Sequence, residues 1–291
     1  MFLKSKDLIM NDVNLDKKKV VIGSTIKNVE KDIPNFFKLV TKISSMYSDY
    51  SIILVESDST DNTFYVAKKF LEEKKGKIIK VNTDKCNYRT ERISLCRNQI
   101  ILEIKKDNKL NKFDHLIILD ADNINTLLTP EKIRNTLNMA PQDWLGIFPN
   151  QYFFYYDLWA LRIDKYFDYD CFQKFKEYSS HKNIKKIYND IIFKKFFVIK
   201  KFKNRFIKVK SAFGGMGIYK LKLVLNSYYN ANGGKNSEHV MFHNMITSQN
   251  KEILYIDKDL INSYGLNEHI FRGFFYRTFD YFARRLAKKQ I

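Results

Sequence analysis

His115-Leu116-Ile117-Ile118-Leu119-Asp120-Ala121-Asp122 is the stretch that decides how this chain is read: an uninterrupted aliphatic run that stops at two carboxylates one residue apart. Such a short apolar run, closed by polar residues, predicts a strand buried on both faces, as in the middle of a parallel sheet. Ligands of open parallel sheets sit beyond the carboxyl ends of the strands. Position alone therefore places Asp120 and Asp122 at the mouth of a site. Side chains so placed can reach one divalent cation, and hard oxygen donors suit Mg²⁺ or Mn²⁺, with the remaining positions left to water and a diphosphate.

Working upstream, Val20-Val21-Ile22 runs into Gly23-Ser24-Thr25, a buried strand feeding a loop. Ile33, Phe36, Phe37, Val40 and Ile43 recur at helical spacing, with Pro34 tolerated in the first turn. Residues 51–56 (SIILVE) read as a second strand, and Ser57-Asp58-Ser59-Thr60-Asp61 offers turn and cap chemistry before the helical stripe of Phe64, Ala67, Phe70 and Leu71. A third strand is expected over 77–82, and a helix over 91–105 that carries Ile93, Cys96, Ile100 and Ile104 on one face. Downstream, Thr129-Pro130-Glu131 opens another helix and Trp144-Leu145-Gly146-Ile147-Phe148 another strand. This alternation predicts an α/β fold with a mostly parallel central sheet flanked by helices, and it puts Thr25, Glu56 and Asp120 at strand ends.

The 291 residues fit one domain, and 45% hydrophobic content with 15% aromatics is enough for a packed core. Cys86, Cys96 and Cys171 have neither the even count of a disulfide framework nor the CxxC spacing of a zinc site. No run approaches the roughly 20 apolar residues of a membrane span, and residues 1–16 are charged, so a cytoplasmic protein is expected. The excess of 51 Lys and Arg over 32 Asp and Glu leaves +19, a field that attracts phosphates, anionic lipid or nucleic acid. In the tail 268–291, Phe271, Phe274, Phe275, Phe279, Phe282 and Leu286 fall at helical spacing among arginines and lysines, an amphipathic pattern suited to peripheral contact with an anionic membrane.

The order of these elements resembles the nucleotide-sugar glycosyltransferases of the GT-A fold, in which a nucleotide-binding βαβ half leads to a DxD motif at a strand end. Over 18–125, the run Glu56-Ser57-Asp58-Ser59-Thr60-Asp61-Asn62-Thr63 is similar to the family's acidic loop. Arg97-Asn98 resembles its Arg-Asn pair on the preceding helix. Farther on, Tyr156-Asp157-Leu158-Trp159-Ala160-Leu161-Arg162 and Phe213-Gly214-Gly215-Met216-Gly217-Ile218-Tyr219 resemble the branch of capsule and viral-glycan transferases related to the fungal capsule-associated mannosyltransferases.

The resemblance implies a nucleotide-sugar donor, a glycan acceptor and a Mn²⁺ or Mg²⁺ cofactor. Thr25, Glu56 and Asp58 would border the base and ribose, and Arg92 or Arg97 would face the diphosphate. Asp120 and Asp122 would hold the metal, and Gly214 and Gly215 would let backbone approach the sugar or acceptor. Glu238 stands where inverting members carry a catalytic base, and His239 takes the place of a second acid. A late histidine often completes the metal site, for which His239 ranks ahead of His243 and His269. The chain then divides into a donor half (18–125), an acceptor half (126–267) whose aromatic, Lys-rich tract from 162 to 210 forms a helical insertion, and the basic tail.

Two other readings stand beside this one. A basic nucleic-acid-binding module would use the charge and the aromatic-lysine stretch 185–210, yet carboxylates at strand ends would repel a phosphate backbone. A sugar nucleotidyltransferase would share the sheet and the acids, but its Gly-rich, basic signature near the first strand is missing. No P-loop, GxGxxG, HExxH or GxSxG motif occurs.

Overall fold

The computed structural model describes residues 13–178 and 182–265; the amphipathic tail and His269 lie outside these residues. One eight-stranded sheet runs through them in the order β3-β2-β1-β4-β7-β5-β8-β6. Its first half is the expected alternation: β1 (Lys19–Ile26), α1 (Ile33–Ser44), β2 (Asp49–Glu56), α2 (Thr63–Leu71), β3 (Gly76–Lys80), α3 (Arg89–Lys106) and β4 (His115–Leu119). β1 pairs in parallel with β2 and β4, and β2 with β3. The second half holds α4 (Pro130–Met139), β5 (Trp144–Gln151), α5 (Cys171–Glu177), α6 (Ile184–Ile191), β6 (Phe206–Val209), β7 (Met216–Lys220), α7 (Leu221–Val224), α8 (Glu238–Gln249) and β8 (Ile253–Ser263).

Strand alternation divides the core into two layers. Val20 and Ile22 of β1, Ile52 and Leu54 of β2, and Ile117 and Leu119 of β4 pack with Phe36, Val40 and Ile43 of α1. The intervening Val21, Ile53, Val55, Leu116 and Ile118 pack on the other face with Ile100 and Ile104 of α3. Each strand is buried on both sides, which is why β4 reads as an unbroken apolar run. Past the last paired residue of β4 the alternation persists: Ala121 belongs to the α1 layer, and Asp120 turns toward α3, where it meets Arg97.

The sheet departs from the sequence expectation where β7 enters. β7 lies between β4 and β5 and runs antiparallel to both. β5 is parallel to β8, and β6 closes the edge antiparallel to β8. β1, β2, β3, β4, β5 and β8 thus point one way, and β6 and β7 the other. The physical consequence lies at the start of β7: its preceding turn, Phe213-Gly214-Gly215, arrives beside the carboxyl end of β4, and the Asp120 N–H donates to the Gly215 carbonyl at 2.9 Å. The 162–210 tract supplies α5, α6 and a 3-10 segment (Phe193–Lys201) as expected of a helical insertion, but its end forms β6. Among the described residues no helix is long and apolar enough to cross a membrane.

Candidate active site

A cavity of about 1440 Å³ opens at the carboxyl ends of β1 and β4. Thr25 at the end of β1, Asp120 and Asp122 after β4, Arg89, Arg92 and Arg97 on α3, and Glu238 and His239 at the start of α8 all line it. The two acids of the DxD stretch therefore share one wall of a space large enough for a nucleotide-sized ligand.

Arg97 is the hub of the inner wall. Its side chain is only 4% exposed. Nη2 donates to Asp120 Oδ1 at 3.2 Å, while Nη1 donates to Glu238 Oε1 and lies 2.7 Å from His239 Nε2. The guanidinium also stacks over the rings of Phe213 and Tyr229, at 4.8 and 5.6 Å. Burial works against a charged guanidinium, yet Glu238 and Asp120 outweigh it and hold the Arg97 pKa above the ordinary arginine value. Fork geometry and a permanent charge make arginine suited to joining two carboxylates in this way.

The same contacts fix the state of His239. With Arg97 donating to Nε2, the ring proton resides on Nδ1. Burial, together with the nearby arginine charge, drives the imidazole pKa well below its usual value, so the ring is neutral. It stacks on Phe213 with centroids 3.8 Å apart. Because its Nε2 is engaged by Arg97, His239 is not gathered with the two aspartates, and no three His, Cys, Asp or Glu side chains among the described residues converge as a metal-ligand set. His243, one turn on, points into the core: Ser211 Oγ lies 2.8 Å from Nδ1 and Tyr219 Oη 2.9 Å from Nε2, and burial lowers its pKa to about 3.

Asp120 lies where burial raises its carboxyl pKa, Arg97 pulls it back and the neighbouring Asp122 charge raises it further; the net direction is upward. Its side chain retains 30% exposure to the cavity. Asp157, quoted from the sequence without an assigned role, lines the cavity as well. Burial raises its pKa against the Gly214 and Ala160 N–H groups that donate to it. Asp120 and Asp122 fit a divalent cation as a pair of hard oxygen donors; further positions would fall to water and to ligand phosphate oxygens.

The other expected site residues divide. Arg92 is half-buried at the cavity wall, with Nη1 on the Cys86 carbonyl at 3.3 Å, and Arg89 is exposed nearby. Arg97 is committed to carboxylates, whereas Arg89 and Arg92 line the cavity without a carboxylate contact of that kind among the described residues. Glu56 and Asp58 stand back from the cavity lining. Glu56 Oε1 accepts the Ser59 N–H at 2.6 Å. Asp58, at φ +53°, accepts from both the N–H and the hydroxyl of Thr83. These bonds shape the loop that follows β2.

Gly214 and Gly215 also stand back, and their need for glycine has another origin. Both have positive φ, at +65° and +91°. A Cβ on Gly215 would lie 2.4 Å from Ile124 Cγ2, and one on Gly214 would lie 2.8 Å from Gln151 Nε2. A buried amide network that the sequence did not disclose holds this turn. Asn262 Nδ2 donates to Asn125 Oδ1 and the Gly214 carbonyl, Gln151 Nε2 to Asn262 Oδ1, and Asn125 Nδ2 to the carbonyls of Asp120 and Gly215. The network links β8, β5 and the turn before β7 to the residue that follows β4, so it fixes the backbone on which Asp120 is mounted.

Comparison with solved structures agrees with this fold. The chain superposes on a mannosyltransferase from Pyrobaculum calidifontis, solved with GDP-Man and Mn²⁺, at a TM-score of 0.50 and 10% identity, covering 94% of this chain and 64% of that one. It also superposes on residues 1–349 of S. aureus TarS, solved with UDP-GlcNAc, at 0.50 and 13% identity, covering 87% of this chain and 60% of that one. The fold is GT-A. This GT-A chain thus spans less than two thirds of the length of either structure. No protein-family model matches the sequence, nor does any curated protein.

Proposed function

We propose that this GT-A chain is a metal-dependent glycosyltransferase that moves a sugar from a nucleotide diphosphate to an acceptor hydroxyl of a glycan. The observation that carries the reading is the placement of Asp120 and Asp122 together in the lining of the cavity at the carboxyl end of β4, which Arg89 and Arg92 line as well. The presence of GDP-Man with Mn²⁺ in one similar structure and of UDP-GlcNAc in the other supports a nucleotide-sugar donor. The stretches 156–162 and 213–219 support a place near the capsule and viral-glycan branch.

In this reading Asp120 and Asp122 would hold Mn²⁺ or Mg²⁺, and Thr25 would stand at the nucleotide side. A cation bound there supplies charge neutralisation for the departing diphosphate. Arg89 and Arg92 add fork-shaped donors from α3. The acceptor oxygen forms a bond to the anomeric carbon as that carbon's bond to the phosphate oxygen breaks, and the electron pair leaves with the diphosphate. Glu238 receives the acceptor proton; Arg97 holds its Oε1, so the role falls to the other oxygen. Glu56 and Asp58 act through the shape of the nucleotide loop, and Gly214 and Gly215 through the position of Asp120.

Titration calorimetry with GDP- and UDP-sugars, with and without Mn²⁺, tests this. Donor binding that requires the cation and disappears in Asp122→Asn is expected. Binding indifferent to the cation, or none to any nucleotide sugar, would overturn it.

A further inference from the structure

The cavity changes character along its length. Around β1, β4 and α3 its lining includes acidic and basic side chains, whereas the wall contributed by α5, α6 and the 3-10 segment after it presents Phe172, Phe175, Ile184, Tyr188, Ile192 and Phe196. A sugar acceptor laid on this wall would lose water from its hydroxyls with little to replace it. The phenol of Tyr188 is the one polar group among those six side chains, and burial pushes its pKa up to about 12. Lys176 and Lys185 line the same wall and are exposed, so they sit at its rim.

The apolar surface continues out of the cavity. The Phe196 ring lies 5.5 Å from Phe154, Phe154 6.4 Å from Phe197, and Phe197 5.6 Å from Phe193. Phe193 and Phe197 are 43% and 36% exposed, and Lys200 stands over the Phe197 ring. Tyr152 and Phe153, which precede Phe154 in the chain, form a second cluster of exposed rings with Tyr264. Exposed aromatic rings interleaved with lysines suit the boundary between water and an anionic lipid layer.

We propose that the acceptor is lipid-borne: its apolar chain lies against the α5–α6 wall and leaves along Phe196, Phe154 and Phe197, and an anionic group of the same molecule meets Lys176 and Lys185. This rests on the glycosyltransferase reading, and it names the class of acceptor. The apolar wall excludes water from the chain, the rim lysines supply the complementary charge, and the exposed rings bring the cavity to the surface from which such a molecule is drawn.

Dodecyl phosphate, kept below its micelle-forming concentration, is the probe, with butyl phosphate, inorganic phosphate and dodecyl maltoside as comparisons. Binding is read by the fluorescence of Trp159, which lines the cavity. Dodecyl phosphate is expected to saturate a site at least about 10-fold more tightly than butyl phosphate, since each buried methylene adds to affinity. Phe175→Asp should weaken it by about 10-fold or more, because a carboxylate is placed in the apolar wall. Phe197→Asp, at an exposed position, should weaken it while leaving the fold unaffected. Lys176→Glu with Lys185→Glu should weaken dodecyl phosphate and leave dodecyl maltoside unchanged.

Equal affinity for dodecyl and butyl phosphate, or binding unchanged in both the Phe197 and the double lysine variants, overturns the proposal. Calorimetry of the nucleotide sugar on the same proteins separates the two readings. Donor binding without chain-dependent phosphate binding removes the lipid acceptor alone. Chain-dependent binding without any donor binding removes the glycosyltransferase reading and, with it, the acceptor role of the wall.

Discussion

Replacing Arg97 by methionine tests the hub of the site. Methionine fills most of the volume, so the expected loss comes from charge rather than from a cavity. Glu238 is only 8% exposed at its side chain and would keep a buried carboxylate without its cationic partner. Breaking a buried pair from one side costs about 3–5 kcal/mol. Asp120, 30% exposed, can be rehydrated from the cavity, so its share is less than about 1 kcal/mol. Glu238→Gln leaves Arg97 paired with Asp120 and an amide oxygen in place of the carboxylate, and costs about 1–2 kcal/mol. In the double variant no charge is stranded at Glu238, so the two changes must be far from additive, with a coupling of about 2 kcal/mol or more. Urea unfolding of the four proteins of this cycle measures it. A loss below about 1 kcal/mol for Arg97→Met, or additivity within about 0.5 kcal/mol, would refute the assignment of Arg97 as the buried tie between β4 and α8.

Three further outcomes are expected. His115 is buried and its pKa is lowered to about 4 by that burial, so the folded chain holds fewer protons there than the unfolded chain. Its contribution to stability is therefore complete above about 6.5 and is lost as pH falls toward 4, at up to about 1.4 kcal/mol per pH unit. His243 adds to this slope and Asp120, raised rather than lowered, opposes it; His115→Gln should reduce the fall in urea-derived stability between pH 7 and 4.5, and an unchanged fall would refute the burial argument. Asn262→Leu removes donors to Asn125 and Gly214 within a buried network and should cost about 2–4 kcal/mol, read as a lowered urea midpoint. Gly215→Ala places a methyl against Ile124 at a left-handed φ and should destabilise by more than about 1 kcal/mol while weakening cation-dependent donor binding through Asp120; a midpoint within error of the parent would show that the turn adjusts.

Much of the fold was legible because its signals are local. β1, β2 and β4 are short apolar runs, and α1 and α2 carry stripes whose spacing reports burial on one face. Where a strand ends in polar residues the sheet's own geometry says that a site begins, so Asp120 and Asp122 could be singled out without tertiary information, whereas Glu238 was singled out only through the family resemblance. β6 was hidden inside a lysine-rich tract, where an edge strand of four residues, Phe206–Val209, alternates too briefly to stand out. The direction of β7 was equally hidden, because alternation of side chains is the same in parallel and antiparallel strands.

The sequence by itself determined which segments are strand and helix through the donor half, that the chain has a GT-A order of elements, and that two carboxylates stand at the end of its central strand. Only the tertiary structure decided that Arg97 turns to Glu238, 141 residues away, instead of facing a phosphate. It also decided that His239 serves Arg97, that Gly214 and Gly215 are held by Asn125, Gln151 and Asn262, and that one wall of the cavity is apolar. Periodicity records whether a side chain is buried, but it carries no information on which distant group it meets. That is set by the crossing of elements in space, and for buried charges and amides the partner determines the chemistry.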